Sequence, residues 1–247
     1  MTLRDFGWPE LQFLVFSIRW TILLSLIAFA GGGALGLVVA ACRGAPSRVL
    51  RHAMDVYITL FQGTPLLVQL LLMYYGSSFI GLTPNAWTAA ALTFILNSSA
   101  FFGEIWRGCI EAVPRTQWEA ARALGLRYLP TLRLVVLPQA MRLMVVPTVG
   151  YMVQIVKSTS VASLIGITEI TRTAVLVNTV TFEPLRVFGT VCLVYFAICY
   201  PLSLLSDRLG RRLDRKRAGG LGDVFRRVRR SARSPKHGFH GQARHAP

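Results

Sequence analysis

Lys157 is an ammonium group inside an apolar stretch: Leu143 to Val156 carries no charge over 14 positions, and the chain stays apolar beyond the lysine as far as Ile167. At mid-membrane such a group costs on the order of 3 kcal/mol on insertion scales, so something must compensate it. Two compensations are open: a substrate carboxylate, or a structural pair with a protein carboxylate or backbone carbonyls. Glu104 and Arg107, three residues apart, have the spacing of a local ion pair on one helix face, worth about 0.5 kcal/mol; substrate contact is the other reading. Gln69, Asn97, Ser98, Ser99, Thr159 and Ser160 are hydrogen-bonding groups within apolar runs. Each can line a polar path or bond a neighbouring helix. Covalent and metal chemistry find little support. Cys42, Cys109, Cys192 and Cys199 form no C-x-x-C pair and read as small hydrophobes. Three of the four histidines (His237, His240 and His245, but not His52) fall in a polar tail. No catalytic residue and no metal site is assigned. No G-x-x-x-x-G-K-[ST] phosphate loop occurs, so the chain is not expected to hydrolyse ATP.

The elements that hold these groups follow from composition. Of 247 residues, 53% are hydrophobic and 15% charged, where a soluble domain carries about 25% charge. The net charge of +16 comes from 27 basic and 11 acidic residues, of which 13 basic and 3 acidic follow Ser206. The basic charge thus lies mainly outside the apolar body, which argues against a globular nucleic-acid binder. The composition is that of an integral membrane protein. Charge-free windows run from Trp20 to Cys42, Val56 to Gly103 and Val187 to Ser206, over 23, 48 and 20 positions. The second is long enough for two crossings at about 20 residues each, with a break at Gly81 and Pro84-Asn85. The expectation is five membrane helices, near residues 17–41, 62–81, 85–106, 141–163 and 187–207, after a short extracytoplasmic segment 1–16. The first helix is too long for a cleaved signal peptide, and Arg4 is offset by Asp5 and Glu10. Trp87 reads as an interfacial anchor.

Arginines set the orientation. Arg43, Arg48 and Arg51 fill the first connection, six arginines from Arg107 to Arg142 the third, and 13 basic residues the tail; the second has none. This puts the N-terminus outside and the C-terminus in the cytoplasm. Between Ser47 and Phe61, apolar residues at 49, 50, 53, 54, 57, 60 and 61 form a helical stripe, a short helix along the cytoplasmic face. It ends at Gly63-Thr64-Pro65, since the residue before proline avoids the helical region; a mid-span kink is the competing reading. Ala218 to Pro247 is rich in Arg, Gly and Ser and is expected to be disordered, with at most a short basic helix near residues 223–230. The tail as a whole is taken as residues 213–247.

The connection Gly108 to Ala140 is 33 residues long, more than a linker needs. Glu119-Ala120-Ala121-Arg122-Ala123-Leu124 is strong helix former, Gly125 can stop it with a left-handed turn, and Pro138 closes a second apolar stretch. A helix, a glycine turn and a second helix below the membrane read as a docking element; a hairpin without a partner is the alternative.

These residues carry a resemblance. Glu119-Ala120-Ala121, three residues, Gly125, nine residues, then Val135-x-Leu137-Pro138 is similar to the EAA loop of bacterial ABC importer permeases, with Val135 where isoleucine is usual. Tyr57-Ile-Thr-Leu-Phe-Gln-Gly-Thr-Pro-Leu-Leu-Val-Gln69, Lys157-Ser-Thr-Ser-Val161 with Ile165-Gly166, and Glu104-Ile-Trp-Arg107-Gly108 resemble the permeases of polar amino acid uptake systems, the histidine, glutamine, glutamate and arginine type. The resemblance covers roughly Ser17 to Arg212. It implies a type I ABC importer permease fold in the bacterial cytoplasmic membrane. The implied partners are a second permease copy or paralogue, two cytosolic ATPases that hold ATP and Mg, and an extracytoplasmic amino-acid-binding protein. This chain would bind no cofactor and no nucleic acid. The resemblance further implies that Glu119, Ala120, Ala121, Gly125, Leu137 and Pro138 belong to the loop seated on the ATPase. Gly63, Thr64, Pro65, Gln69, Lys157, Thr159 and Ser160 are the candidates for the translocation path or substrate contact. Thr59 and Gln62 stand where the family usually has an acidic residue and an arginine, and Tyr151 where it usually has asparagine, so the identity of the substrate stays open.

Two other classes remain to be weighed. A secondary transporter should show inverted repeats with paired broken helices. No second copy of the Gly63-Thr64-Pro65 break occurs. A non-transporting membrane regulator would use the basic tail on anionic lipid, leaving the docking loop unexplained.

Overall fold

The computed structural model describes residues 5–44 and 47–232. Among them the chain is all helical: α1 (Trp8–Arg43), α2 (Arg48–Gly63), α3 (Leu66–Tyr74), α4 (Ala86–Glu111), α5 (Arg115–Ala123), α6 (Tyr128–Thr131), α7 (Leu137–Ser158), α8 (Ile170–Thr181) and α9 (Pro184–Ala232). Four segments are long and apolar enough to cross a membrane, namely Trp8–Arg43, Ala86–Glu111, Tyr128–Ile165 and Pro184–Arg211; α2 with α3 makes a fifth if that bent pair is one span. The hydrophobic core joins α1, α3, α4 and α7 through Leu24, Ala28, Leu70, Phe94, Phe102 and Ile155.

Several boundaries differ from expectation. Helix α1 begins at Trp8, because Pro9 suits a first turn and the Glu10 carboxylate accepts the Gly7 amide at 3.0 Å; residues 8–16 are helix rather than a separate segment. The span expected near 62–81 is a nine-residue helix followed by a 3-10 turn at Gly76–Ile80. Gly81 closes that turn in the left-handed region, and the Asn85 side chain caps α4 by accepting the Thr88 amide at 2.8 Å. Helices α2 and α3 meet at 101°. Thr64 is extended there (φ −114°, ψ 142°) as a residue before proline must be. The turn separates two helices, as a broken span or a re-entrant loop would.

The chain divides into two units, Met1–Leu209 and Gly210–Pro247. The second is helical as far as Ala232, and the helix takes in residues 223–230, where the sequence allowed a short basic helix in an otherwise disordered tail. Leu221, Val224, Phe225 and Val228 recur at helical spacing between arginines, and that periodicity outweighs the neighbouring glycines. The remainder of the tail expectation, residues 233–247, lies outside the described residues.

Helices α1 and α4 approach closely because glycines line the seam. A methyl group on Gly32 would stand 2.5 Å from Ser98 Cβ, and one on Gly36 2.7 Å from Phe102 Cβ. This small-xxx-small spacing, Gly32 to Gly36, is a membrane packing signal. Gly32→Val is expected to force the two helices apart at a cost of about 1–3 kcal/mol, read as a clear drop in the melting temperature of the detergent-solubilised protein. An unchanged melting temperature would show that the seam can yield.

Charges tie the ends of α1, α2 and α4 together. Arg43 pairs with Asp55 (2.5 Å) and with Glu104; Arg107 pairs with Glu104 (2.5 Å) and Glu111 (2.5 Å). The expected Glu104 and Arg107 pair is therefore one part of a five-residue network in which Glu104 links Arg43 to Arg107. Partial exposure of these groups keeps each pair's worth low, but a network with a shared arginine holds α2 in place better than isolated pairs.

Candidate functional site

The first part of the site is the α2–α3 bend. Gln69 donates its amide to the Phe61 carbonyl (2.8 Å), the Thr64 carbonyl (3.0 Å) and the Thr64 hydroxyl (2.8 Å), and its oxygen accepts from Asn97 on α4 (3.0 Å). The Thr64 hydroxyl caps α2 by donating to the Leu60 carbonyl at 2.7 Å. Carbonyls freed where Pro65 interrupts the helix are thus satisfied by one side-chain amide. Gln69 thus bonds both across the bend and to α4. Tyr57 pins α2 to α4 in the same way, donating to the Leu96 carbonyl at 2.9 Å and meeting the Ser99 hydroxyl at 2.6 Å. Gly63 is exposed, with open space about its Cα, so it fits a surface facing water or a partner.

Lys157 lies in the last turn of α7 with its side chain exposed, and it makes no ion pair among the described residues. The structural carboxylate partner, one of its two possible compensations, is not supplied by these residues. Two residues on, Thr159 is buried and donates to the Val156 carbonyl (2.8 Å), while Ser160 donates to the Lys157 carbonyl (2.8 Å). These hydroxyls turn the chain from α7 into the 3-10 segment Thr159–Ile165, which ends at left-handed Gly166. They shape the backbone beneath the ammonium. Tyr151, a departure from the family pattern, is held against α4 by stacking on Phe101 (5.0 Å between centroids) and an edge contact with Phe102. Trp87 packs on Trp20 of α1 (5.2 Å).

The second part is the docking element. Helix α5 ends at left-handed Gly125 (φ 78°), with the Gly125 amide donating to Arg122 (2.9 Å) and the Leu126 amide to Ala121 (3.1 Å). This pair of bonds is a Schellman cap. Ala121 is buried, and Val113 with partly buried Trp118 lies against Val136 and Ala140 at the head of α7. Trp118 also stacks on Tyr128 (5.7 Å), and Gln139 donates to Gln117 (3.2 Å). Glu119, Ala120 and Leu124 face outward; Leu124 is 80% exposed. The element is a short helix with a rigid back and an open front.

Beyond Gly125 the expectation needs correction. Leu137 and Pro138 do not end a separate second helix. A helical path runs from Tyr128 through a π-type turn at Leu132–Val136 directly into α7, with the Leu137 amide reaching back to Leu132. Proline at 138 has no amide for the Leu134 carbonyl, so the helix widens by one residue just before it. The span therefore extends well before residue 141.

Sequence reasoning missed Glu169. It is fully buried, caps α8 by accepting the Arg172 amide (2.9 Å), and accepts the Tyr195 hydroxyl of α9 (3.0 Å). Burial pushes its carboxyl above the ordinary value, against these donors, which favour the charged form. In sequence it was one of four charges in a mixed connection, and nothing marked it.

With this geometry established, the chain can be compared with known proteins. Residues 32–219 match the family model of the binding-protein-dependent transport system inner membrane component. The chain belongs to this family of transport permeases and is an integral membrane protein. It is 34% identical to the probable amino-acid ABC transporter permease protein YckA of Bacillus subtilis, over 76% of this chain and 83% of that one. It is 35% identical to the L-cystine transport system permease protein TcyB of the same organism, over 84% and 88%. It is 32% identical to the glutamine transport system permease protein GlnP of Escherichia coli, over 83% and 95%. Among solved structures, an amino acid ABC transporter with histidines superposes with a TM-score of 0.79 at 31% identity, covering 81% of this chain and 94% of that one.

Proposed function

We propose that this chain is the membrane-spanning permease subunit of an ATP-driven importer that moves a polar amino acid across the bacterial cytoplasmic membrane. A second permease copy or paralogue would complete the path. Two cytosolic ATPases would supply ATP hydrolysis, and an extracytoplasmic binding protein would deliver the substrate. The N-terminus lies outside and the C-terminus in the cytoplasm, so that α5 and its exposed Glu119, Ala120 and Leu124 meet the ATPase. The observation that carries the reading is the pairing of two open features in one fold: a rigidly backed helix ending at Gly125, and an exposed ammonium at Lys157 with no ion-pair partner among the described residues. Relatives named for amino-acid, cystine and glutamine transport support the substrate class.

The test is reconstitution. The permease, purified with an ABC ATPase and an amino-acid-binding protein from the same genome, is placed in proteoliposomes with radiolabelled polar amino acids. Uptake should require both ATP and the binding protein. Uptake that proceeds with neither would mark a secondary transporter instead.

A further inference from the structure

In the last turns of α7, Val153, Ile155 and Val156 are buried, while Gly150, Gln154 and Lys157 are exposed. Their spacing of four and then three residues puts them on one helix face. Gln154 differs from the amides of the bend. Gln62, Gln69 and Asn97 each donate a hydrogen bond to another segment, whereas Gln154 makes none among the described residues. An amide and an ammonium, one turn apart and both open, cannot face lipid tails without losing every hydrogen bond they could make. This face must meet water, ligand or protein. One turn further along, Gly150 lets Ser206 of α9 approach, and the Ser206 hydroxyl donates to the Val146 carbonyl at 3.2 Å.

We propose that Gln154 is a specificity-determining residue of the translocation path, and that with Lys157 it selects amino acids whose side chains are uncharged and hydrogen-bonding. This deepens the importer reading and rests on it. Lys157 pairs with the α-carboxylate, as a fixed cation does with any amino acid. Gln154, about 4.5 Å along the axis, presents both a donor and an acceptor. A neutral polar side chain can satisfy both at once. A cationic side chain finds no carboxylate on this face. Glu104 is committed to Arg43 and Arg107, and Glu169 is buried against Tyr195. An anionic side chain finds no second cation close by on α7, whose other basic residue, Arg142, is 15 residues back along the helix, roughly 22 Å away. Gln154 and Lys157 together form a site built to bond a polar group, and such sites reject analogues that leave their groups unpaired.

The experiment measures binding of glutamine, arginine and glutamate to the solubilised permease–ATPase complex without the binding protein, which isolates the selectivity of the permease. Uptake in proteoliposomes of the full transporter is the second readout, and ATPase co-purification checks assembly. The wild type should prefer glutamine at least tenfold over the other two. Gln154→Leu should lower glutamine binding about tenfold and flatten the preference. Gln154→Glu should move the glutamine-to-arginine ratio at least tenfold toward arginine, a reversal that a packing role for Gln154 would not produce. Unchanged ratios in both variants, with uptake intact, would overturn the role of Gln154 and leave the importer reading standing. A wild type that prefers arginine or glutamate would overturn the substrate class. A wild-type transporter that takes up none of the three with ATP present would count against the importer reading itself, and the proposal would fall with it.

Discussion

Gly125→Val is expected to abolish uptake while leaving the protein in the membrane at normal abundance. At φ 78° a residue with a Cβ costs about 1 kcal/mol or more, and a β-branched one more than that. Open space surrounds the position, so the penalty is conformational and no neighbour clashes. The chain would relieve it by leaving the left-handed region. That breaks the bonds from Gly125 to Arg122 and from Leu126 to Ala121 and re-aims everything between α5 and Tyr128. The membrane helices draw their stability from the α1, α3, α4 and α7 core, which is remote from this turn. Attachment of the ATPase should therefore be lost without unfolding. Glu119→Lys should act at the same surface through charge reversal, since Glu119 is exposed and makes no ion pair among the described residues. The double variant should be no worse than the more severe single one, because attachment can be lost only once. Co-purification of the ATPase with each variant is the measurement. Full retention together with normal uptake in both would remove α5 as the docking element.

What the sequence disclosed, and what it withheld, follows from the range of the forces involved. Local signals were legible. Gly125 needed only its own backbone geometry and the helix-forming run before it, and Pro65 fixed Thr64 without reference to anything distant. The charge-free windows marked the apolar spans of α1, α4 and α9 because lipid imposes one requirement on every residue of a crossing, whereas the bend at Thr64 divides the window from Val56 onward. Long-range partners were not legible. Nothing in the order of residues says that Gln69 on α3 reaches Asn97 on α4, or that Arg43 sits between Asp55 and Glu104. The Gly32 to Gly36 spacing was a readable packing signal that the hydropathy count obscured, since glycine looks neutral in it. Pro138 misled for a physical reason. A proline usually marks a junction, but a single π-type turn absorbed the lost amide and the helix continued. Polarity inside a span selected Gln69, Thr159 and Ser160, whose bonds prove to be local or interhelical, and passed over Gln154, whose amide is open.

Lys157→Met is expected to lower uptake about 10- to 100-fold, the range for losing one hydrogen bond to a charged group. Methionine keeps the length and apolar stem of lysine and removes only the charge. The stability effect should have the opposite sign. The structure gives Lys157 no ion-pair partner among the described residues, so its removal leaves no orphaned carboxylate behind. An unpaired ammonium within an apolar span is itself unfavourable by about 3 kcal/mol. A structural lysine would behave differently, since deleting one partner of a buried pair destabilises strongly. The melting temperature of the solubilised variant and its uptake kinetics therefore separate the two roles. A melting temperature held or raised, with uptake depressed and the ATPase still attached, assigns the ammonium to the substrate carboxylate. A lowered melting temperature would mean that the charge is paired within the protein or its assembly. Unchanged melting and unchanged uptake would take Lys157 out of the path, and the selectivity assigned to Gln154 would lose the charge that orients its ligand.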